Sequence, residues 1–388
     1  MRAGRWSVLI WVIALVATVG VFGGRRVAAE PQRWSRILGG RLSDVAVSGG
    51  RSVYVTGLFW APPVGSDSEH RWAMVVAKYG VGGRLAWHRT WRNREPGWSA
   101  EGIGVSPAPG GGVYVGGESA LGEFAHPMLW RYSAAGRLLW RQRLPVSFES
   151  GEILSLASDA RGVVAAVQDH GVFDNVAHDG AIQALDPSGR PTWRTDFEVP
   201  GITGTWDAIG GVAIGPHGSV YAVGHVDRRF FDSPEDPWPD QDVVVQKLSR
   251  GGDLQWTRVL GHGTDWHRDE ASDVAVRARR VVATGADPRG GVGWVGAFSP
   301  GGERRWTRTW KQERKRPVAL AIAPWRAVYV GAERTMYRPM VTTAALRRYS
   351  INGALVSRRD LGKGRLRGIA ASHGLYLAIG PRLLRVAR

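Results

Sequence analysis

A seven-residue stretch, Gly83-Arg84-Leu85-Ala86-Trp87-His88-Arg89, returns along the chain at a near-constant interval and limits what it can fold into. It recurs as Gly136-Arg137-Leu138-Leu139-Trp140-Arg141, Gly189-Arg190-Pro191-Thr192-Trp193-Arg194 and Gly252-Asp253-Leu254-Gln255-Trp256-Thr257-Arg258. A fifth copy runs Gly302-Glu303-Arg304-Arg305-Trp306-Thr307-Arg308, and a sixth, Gly353-Ala354-Leu355-Val356-Ser357-Arg358, has Ser in place of Trp. Trp34, Trp87, Trp140 and Trp193 stand 53 residues apart; Trp256 follows after 63, Trp306 after 50 and Ser357 after 51. A period of this length is the mark of a repeat architecture, in which units too small to bury their own apolar face stack on their neighbours.

Within each unit four short runs alternate β-branched or aromatic residues with polar ones, bounded by Gly, Pro, Asp or Ser. The first unit reads Asp44-Val-Ala-Val47, Ser52-Val-Tyr-Val-Thr56, Met74-Val-Val-Ala-Lys-Tyr79 and Leu85-Ala-Trp-His-Arg89. No run has the 3.6-residue period that stacked helix pairs require. Four antiparallel strands in about 50 residues make a propeller blade. The centres of the first strands carry Ala46, Gly104, Ala157, Ala213, Ala275, Ala321 and Ala370, small residues suited to strands converging on a narrow axis. The Gly four positions before each Trp suits the positive φ of a tight hairpin. The Trp ring is expected to wedge against the neighbouring blade.

The C-terminus supplies three strands of a seventh unit, Arg367–Ala371, Leu375–Ala378 and Leu383–Ala387. The missing fourth stands at the other end, as Arg33–Ile37 with Trp34. Pairing the two ends removes the last open edge. The expected fold is therefore all-β, a seven-bladed β-propeller of four-stranded antiparallel blades, one domain over residues 30–388.

The repeat resembles the bacterial β-propeller repeat family known as SBBP repeats. Val53-Tyr54-Val55-Thr56-Gly57 with Val76-Ala77-Lys78-Tyr79 carries the resemblance most closely. Val220-Tyr221-Ala222-Val223-Gly224 with Val244-Val245-Gln246-Lys247-Leu248 repeats it. The likeness covers about Gln32 to the C-terminus and implies an exported or cell-surface bacterial protein, with no catalytic residues to carry over. A fainter similarity to quinoprotein-type (PQQ-like) propellers rests on Leu185-Asp186-Pro-Ser-Gly189.

Residues 1–29 read as an export signal. Arg2 and Arg5 precede an uncharged apolar run from Ser7 to Gly24, and Val27-Ala28-Ala29 offers small residues for cleavage before Glu30. The rival is an uncleaved anchor, since eighteen apolar residues are about the minimum to span a bilayer; Arg25 and Arg26 just after the run disfavour it. The expected location is secreted, periplasmic or at the cell surface, reached by the general secretory route. With no Cys among 388 residues, disulfides, thiolate metal sites and Cys nucleophiles are excluded. The net charge of +17 comes from 51 basic residues, spread through the repeats rather than gathered in a block or groove. A nucleic-acid partner is therefore not expected, and a monomer is.

Strand order separates two sets of connections. Those joining first to second and third to fourth strands are short; those joining second to third strands, and blade to blade, are long. The long set includes Gly57–Trp72, Gly117–Pro127, Gln168–Gly180, Gly224–Gln241 and Gly261–Glu270, and it holds most of the 34 acidic residues. Long loops on a rigid scaffold are where binding sites sit. Trp98, Asp169, His170, Trp206, Asp207, Asp265, Trp266 and His267 fall there and form the expected ligand-binding set. Asp232, Asp236, Asp240 and Asp242 could give carboxylate oxygens to calcium, although a solvated loop stiffened by Pro234, Pro237 and Pro239 accounts for them equally. His262, Asp265, His267, Asp269 and Glu270, like Asp169, His170, Asp174, His178 and Asp179, raise the question of zinc or acid–base chemistry.

Three functions fit. The first is an exported, non-enzymatic propeller binding a protein or glycan partner through the long-loop face. The second is an envelope-polysaccharide hydrolase or lyase using carboxylates or His at the propeller mouth. The third is a scaffold in a surface assembly.

Overall fold

The repeat's hydrophobic alternation needs a partner surface on both faces of every sheet, and a ring of blades supplies one. The computed structural model describes residues 32–61, 71–147, 150–170, 179–200, 207–228, 240–260, 270–287, 292–311, 315–337 and 340–386. Residues 1–29, read from sequence as an expected export signal, lie outside that set. The described strands form seven four-stranded antiparallel sheets, each in sequence order except the last. In that last sheet Gln32–Ile37 pairs with Arg382–Val386, so the two ends of the chain close the ring within one blade. The apolar core divides accordingly into seven clusters, one at each blade junction. At the closing junction, for example, Val45, Val55 and Tyr79 of blade 1 pack on Tyr376, Ala378 and Leu383 of blade 7.

The Trp repeat marks a clasp between blades. Each indole sits on the outermost strand of its blade and lies over the glycine of the next blade's third hairpin. A Cβ on Gly136 would come within 2.7 Å of the Trp87 ring, and one on Gly302 within 3.0 Å of the Trp256 ring. These glycines have φ of 77° and 84°, in the left-handed region, so both the backbone and the overlying ring exclude a side chain there. The indole N–H donates to a carbonyl of the same turn: Trp34 to Val81 at 3.0 Å, Trp87 to Ala134 at 2.9 Å and Trp256 to Pro300 at 3.0 Å. Trp140, Trp193 and Trp306 donate likewise to Pro187, Arg250 and Ile351.

Two residues after the Trp, an arginine completes the clasp. Arg36, Arg89, Arg258 and Arg308 donate Nε–H to the carbonyls of Gly83, Gly136, Gly302 and Gly353. Each also lies over its own indole, 5.4 to 6.0 Å from the ring centroid, in a cation–π contact. In blade 3 Thr195 takes the arginine's place, its hydroxyl donating to the Gly252 carbonyl. Four of the chain's arginines are thus part of the scaffold.

The one copy without Trp has a physical explanation. The fourth strand of blade 6, Leu355–Lys363, faces blade 7, whose third and fourth strands come from opposite ends of the chain. Blade 7 therefore has no third hairpin, and Ser357 stands where an indole would have no glycine turn to cover.

Each inner strand carries a β-bulge at the same step. The register breaks between Leu42 and Asp44, Gly102 and Gly104, Ile153 and Ser155, and Ile209 and Gly211. It breaks again between Ala271 and Asp273, Pro317 and Ala319, and Leu366 and Gly368. Counting from the bulge corrects the expected small-residue ring. The blade 2 residue level with Ala46, Ala157, Ala213, Ala275, Ala321 and Ala370 is Ser106, and Gly104 belongs to a ring one step higher. The bulge inserts a residue that alternation alone does not register.

One expected long loop is not a loop. Within Gly117–Pro127 the strands Gly112–Leu121 and Phe124–Tyr132 continue to a turn at Gly122 and Glu123, so the segment is an extended β-ribbon.

The clasp makes a stability prediction. Gly302→Ala should lower the unfolding free energy by about 2 kcal/mol, from the left-handed φ and the collision with the indole. Trp256→Ala should cost about 3 kcal/mol, since the ring is only partly buried. Because both changes disturb one contact, the double variant should lose less than the sum in denaturant unfolding. Strict additivity would show that ring and turn do not interact.

Candidate binding site at the mouth of the central channel

The bulges also shape the axis of the molecule. The bulged residues Ser43, Ile103, Leu154, Gly210, Ser272, Val318 and Arg367 all line a central cavity of about 550 Å³. Immediately below them the chain must pack inner strand against inner strand. The ring there reads Asp44, Gly104, Ser155, Gly211, Asp273, Ala319 and Gly368. A Cβ on Gly368 would come within 2.7 Å of the Val45 nitrogen, and one on Gly211 within 3.2 Å of the Asp273 Cα.

Where this ring carries polar side chains, they tie neighbouring blades together. Asp44 accepts hydrogen bonds from Val45 N–H at 2.7 Å and, across the junction, from Val105 N–H at 2.9 Å. Asp273 does the same with Val274 and with Leu320 of blade 6, both at 2.7 Å. Ser155 accepts from Val212 N–H. These bonds satisfy backbone donors on the exposed inner edges of the strands. Burial pushes both Asp44 and Asp273 up to about 7, against the opposing pull of the amide donors.

Above the bulges the cavity opens on the long-connection face. Two positions before the bulge stand Arg41, Glu101, Glu152, Ala208 and Glu270, all lining the cavity. Glu118, His225 and Glu333 join them from second strands. The mouth is therefore acidic in a protein of net charge +17. Glu101 is engaged by Arg41 at 3.2 Å and by the Ser43 hydroxyl at 2.9 Å. Glu152 meets the His170 imidazole at 3.3 Å. Glu118, between them, is raised to about 7, first by burial and then by the charges of Glu152 and Glu101, with His170 opposing. Burial pulls the Arg367 guanidinium down, with Glu333 and Glu101 opposing and Arg365 and Arg41 reinforcing it.

Of the residues expected from sequence, His170 is at this mouth through Glu152. Asp169 is not: its side chain is fully buried, accepts from Ser147 N–H at 2.6 Å and pairs with Arg194 at 3.6 Å. Asp207 is buried too, its carbonyl accepting from Gln168 at 3.1 Å. The Trp98 ring packs on His126 of its own blade, centroids 4.7 Å apart. Trp206, Asp265, Trp266, His267, Asp232 and Asp236 lie outside the described residues, as does the side chain of Asp240; Asp242 is buried in the third strand of blade 4. Asp174, His178, His262 and Asp269 also lie outside. Among the described residues no three His, Asp or Glu converge closely enough to hold a metal ion. Asp186, in the turn similar to quinoprotein propellers, accepts the N–H of Ser188 and Arg190 and caps its own hairpin.

Sequence reasoning named Glu270 but missed Glu101, Glu118, Glu152 and Glu333. Alignment on the bulge does not single them out, because that repeat position reads Arg41, Glu101, Glu152, Ala208, Glu270, Arg316 and Arg365 around the seven blades.

No protein-family model matches the sequence, and no curated protein matches it. Solved structures are similar in fold. YCF48 bound to D1 peptide shares 12% identity, with 93% of this chain and 98% of that chain covered and a TM-score of 0.50. Sqt1 from Chaetomium thermophilum also shares 12%, with 92% and 99% covered and a TM-score of 0.47. The likeness to YCF48 shows a shared fold.

The two aspartates on the channel wall give the fold a defined pH response. Both have folded pKa values above their unfolded ones, so unfolding releases protons between about 4 and about 7, and their contribution to stability falls as pH rises through that window. Asp44→Asn removes one such group. The stability of the native protein relative to this variant should therefore decline from pH 4 to pH 7 and level off above. A difference independent of pH in thermal unfolding would show that Asp44 does not retain its proton.

Proposed function

We propose that this is an exported, non-enzymatic binding propeller that receives a polypeptide partner over the acidic mouth of its central channel. The observation that carries this reading is the set of carboxylates, Glu101, Glu118, Glu152, Glu270 and Glu333, gathered around one cavity on a chain otherwise rich in arginine. Such a mouth draws cationic side chains, and the low-dielectric walls strengthen the attraction. The cavity has room for one or two side chains, which suits a protruding segment. The YCF48 propeller, solved with a D1 peptide bound, is a precedent for a polypeptide on this fold. The repeat's resemblance to SBBP units and the leader over residues 1–29 support export.

A charge-only probe tests the mouth. Acetylated hexa-arginine should bind the full-length protein in calorimetry at low salt and weaken steeply as salt is added. Glu152→Gln with Glu270→Gln should weaken it about tenfold, as expected when charge-assisted contacts are lost. Equal binding by native and doubly substituted protein would sink the reading. For export, mass spectrometry of the protein from its native host should find Glu30 as the first residue; an intact Met1 would mark the anchored form instead.

One observation favours a second reading, a hydrolase or lyase of envelope polysaccharide. Glu118, protonated near neutrality, stands with Glu101 and Glu152 in the same cavity, the pairing of proton donor and carboxylate that glycoside cleavage uses. Release of reducing ends from envelope polysaccharide, abolished by Glu118→Gln, would establish it.

A further inference from the structure

The acidic mouth does not end at the channel. Between blades 1 and 2 it runs into a groove of about 240 Å³ lined by Leu58, Trp72, Ala100 and Ala120, with Arg41, Glu101 and Glu118 at the inner end. The groove therefore has an apolar outer part and shares its charged inner part with the central cavity. Its outer lip is aromatic. Trp72 opens the third strand of blade 1, directly opposite Trp60 on the second, and the two rings meet edge to face with centroids 4.7 Å apart. Trp72 remains 43% exposed and Trp60 52%. The repeat's other indoles, from Trp34 to Trp306, are held by neighbouring glycine turns. These two belong to no clasp, and large exposed aromatics beside a concave surface mark contact sites.

We propose that this groove is the specificity pocket for the partner: it takes an extended polypeptide segment that places an aromatic or large apolar side chain against Trp72 and Leu58 and an adjacent Arg or Lys at Glu118 and Glu152. The inference rests on the polypeptide-binding reading above and adds the sequence chemistry of the segment. Charge complementarity fixes the inner end. Glu118 is pressed by Glu101 and Glu152, and Arg41 is already committed to Glu101, so an incoming cation relieves a repulsion within the site. The carboxylates do not close on a metal ion among the described residues; an ammonium or guanidinium, which is larger and forms several hydrogen bonds, spans them better. At the outer end the exposed indoles of Trp72 and Trp60, over a floor formed by the buried Leu58, offer apolar area that a purely cationic ligand leaves in water. A neutral glycan could stack on Trp72 and donate hydroxyls to Glu118, but it brings no positive charge to the crowded carboxylates, so the polypeptide is favoured.

The test compares two acetylated peptides of equal charge on the full-length protein: hexa-arginine, and six arginines alternating with six phenylalanines. The alternating peptide should bind about tenfold more tightly, the gain expected from burying one aromatic side chain. Trp72→Ala should erase that gain and leave hexa-arginine binding as it was. Glu118→Gln should weaken both peptides. Trp72→Leu, which keeps an apolar side chain, should retain part of the gain and guards against misfolding of the alanine variant. If hexa-arginine binds but the alternating peptide binds no better, or if its advantage survives Trp72→Ala, the groove is not the pocket while the mouth reading stands. If neither peptide binds, the mouth reading fails as well. A neutral cello-oligosaccharide whose binding is insensitive to salt and lost in Trp72→Ala would overturn the polypeptide in favour of a glycan.

Discussion

The indole laid over a glycine turn of the next blade is the contact on which this propeller depends. A blade of four short strands has two apolar faces and cannot bury either alone. Packing of Val, Ala and Tyr side chains covers the faces, but such packing tolerates sliding. The Trp and its N–H bond to the turn carbonyl, joined in four clasps by the arginine two residues on, fix the angle and register of one blade against the next. They do so at the outer rim, where a small rotation produces the largest displacement. Six of the seven junctions carry the Trp contact. At the seventh, between blades 6 and 7, the missing hairpin removes the reason for one, and closure of the ring by pairing of the chain ends holds blade 7 instead.

At the opposite end of each blade, the inner strands face a different difficulty. Their inner edges carry backbone donors with no further strand to receive them, and the strands crowd together around the axis. Small residues settle the crowding. The bulges turn one residue per blade toward the channel, a glycine in blade 4, and Asp44, Asp273 and Ser155 receive donors from the next blade. Desolvation at the crowded channel wall favours the protonated carboxyl, which is why both aspartates are pushed up to about 7 despite two amide donors each.

The scaffold and the site use charge in opposite ways. At the rim, four arginines hold turn carbonyls and indoles and serve the clasps. At the channel mouth Glu118 is pressed by Glu152 and Glu101, which suits the mouth to meeting a cation from outside. An exposed tryptophan pair beside that mouth adds an apolar component that charge alone would not provide.

The sequence by itself determined the architecture. A recurring Gly-x-x-x-Trp, alternating strands and a split seventh unit admit one closed arrangement, because each is a local pattern with a fixed geometric consequence. It also named His170 and Glu270, which stand at the mouth of the channel. Tertiary structure alone decided which acids converge. Asp169 and Asp207 lie in sequence as promisingly as Glu101 or Glu118, yet they are buried and engaged within the scaffold. Glu101 and Glu152 look like ordinary strand residues until the bulge sets them at one height around the axis. Convergence depends on radial position and on a one-residue shift of register. Neither leaves a trace in local periodicity, and both follow only once seven blades share a centre.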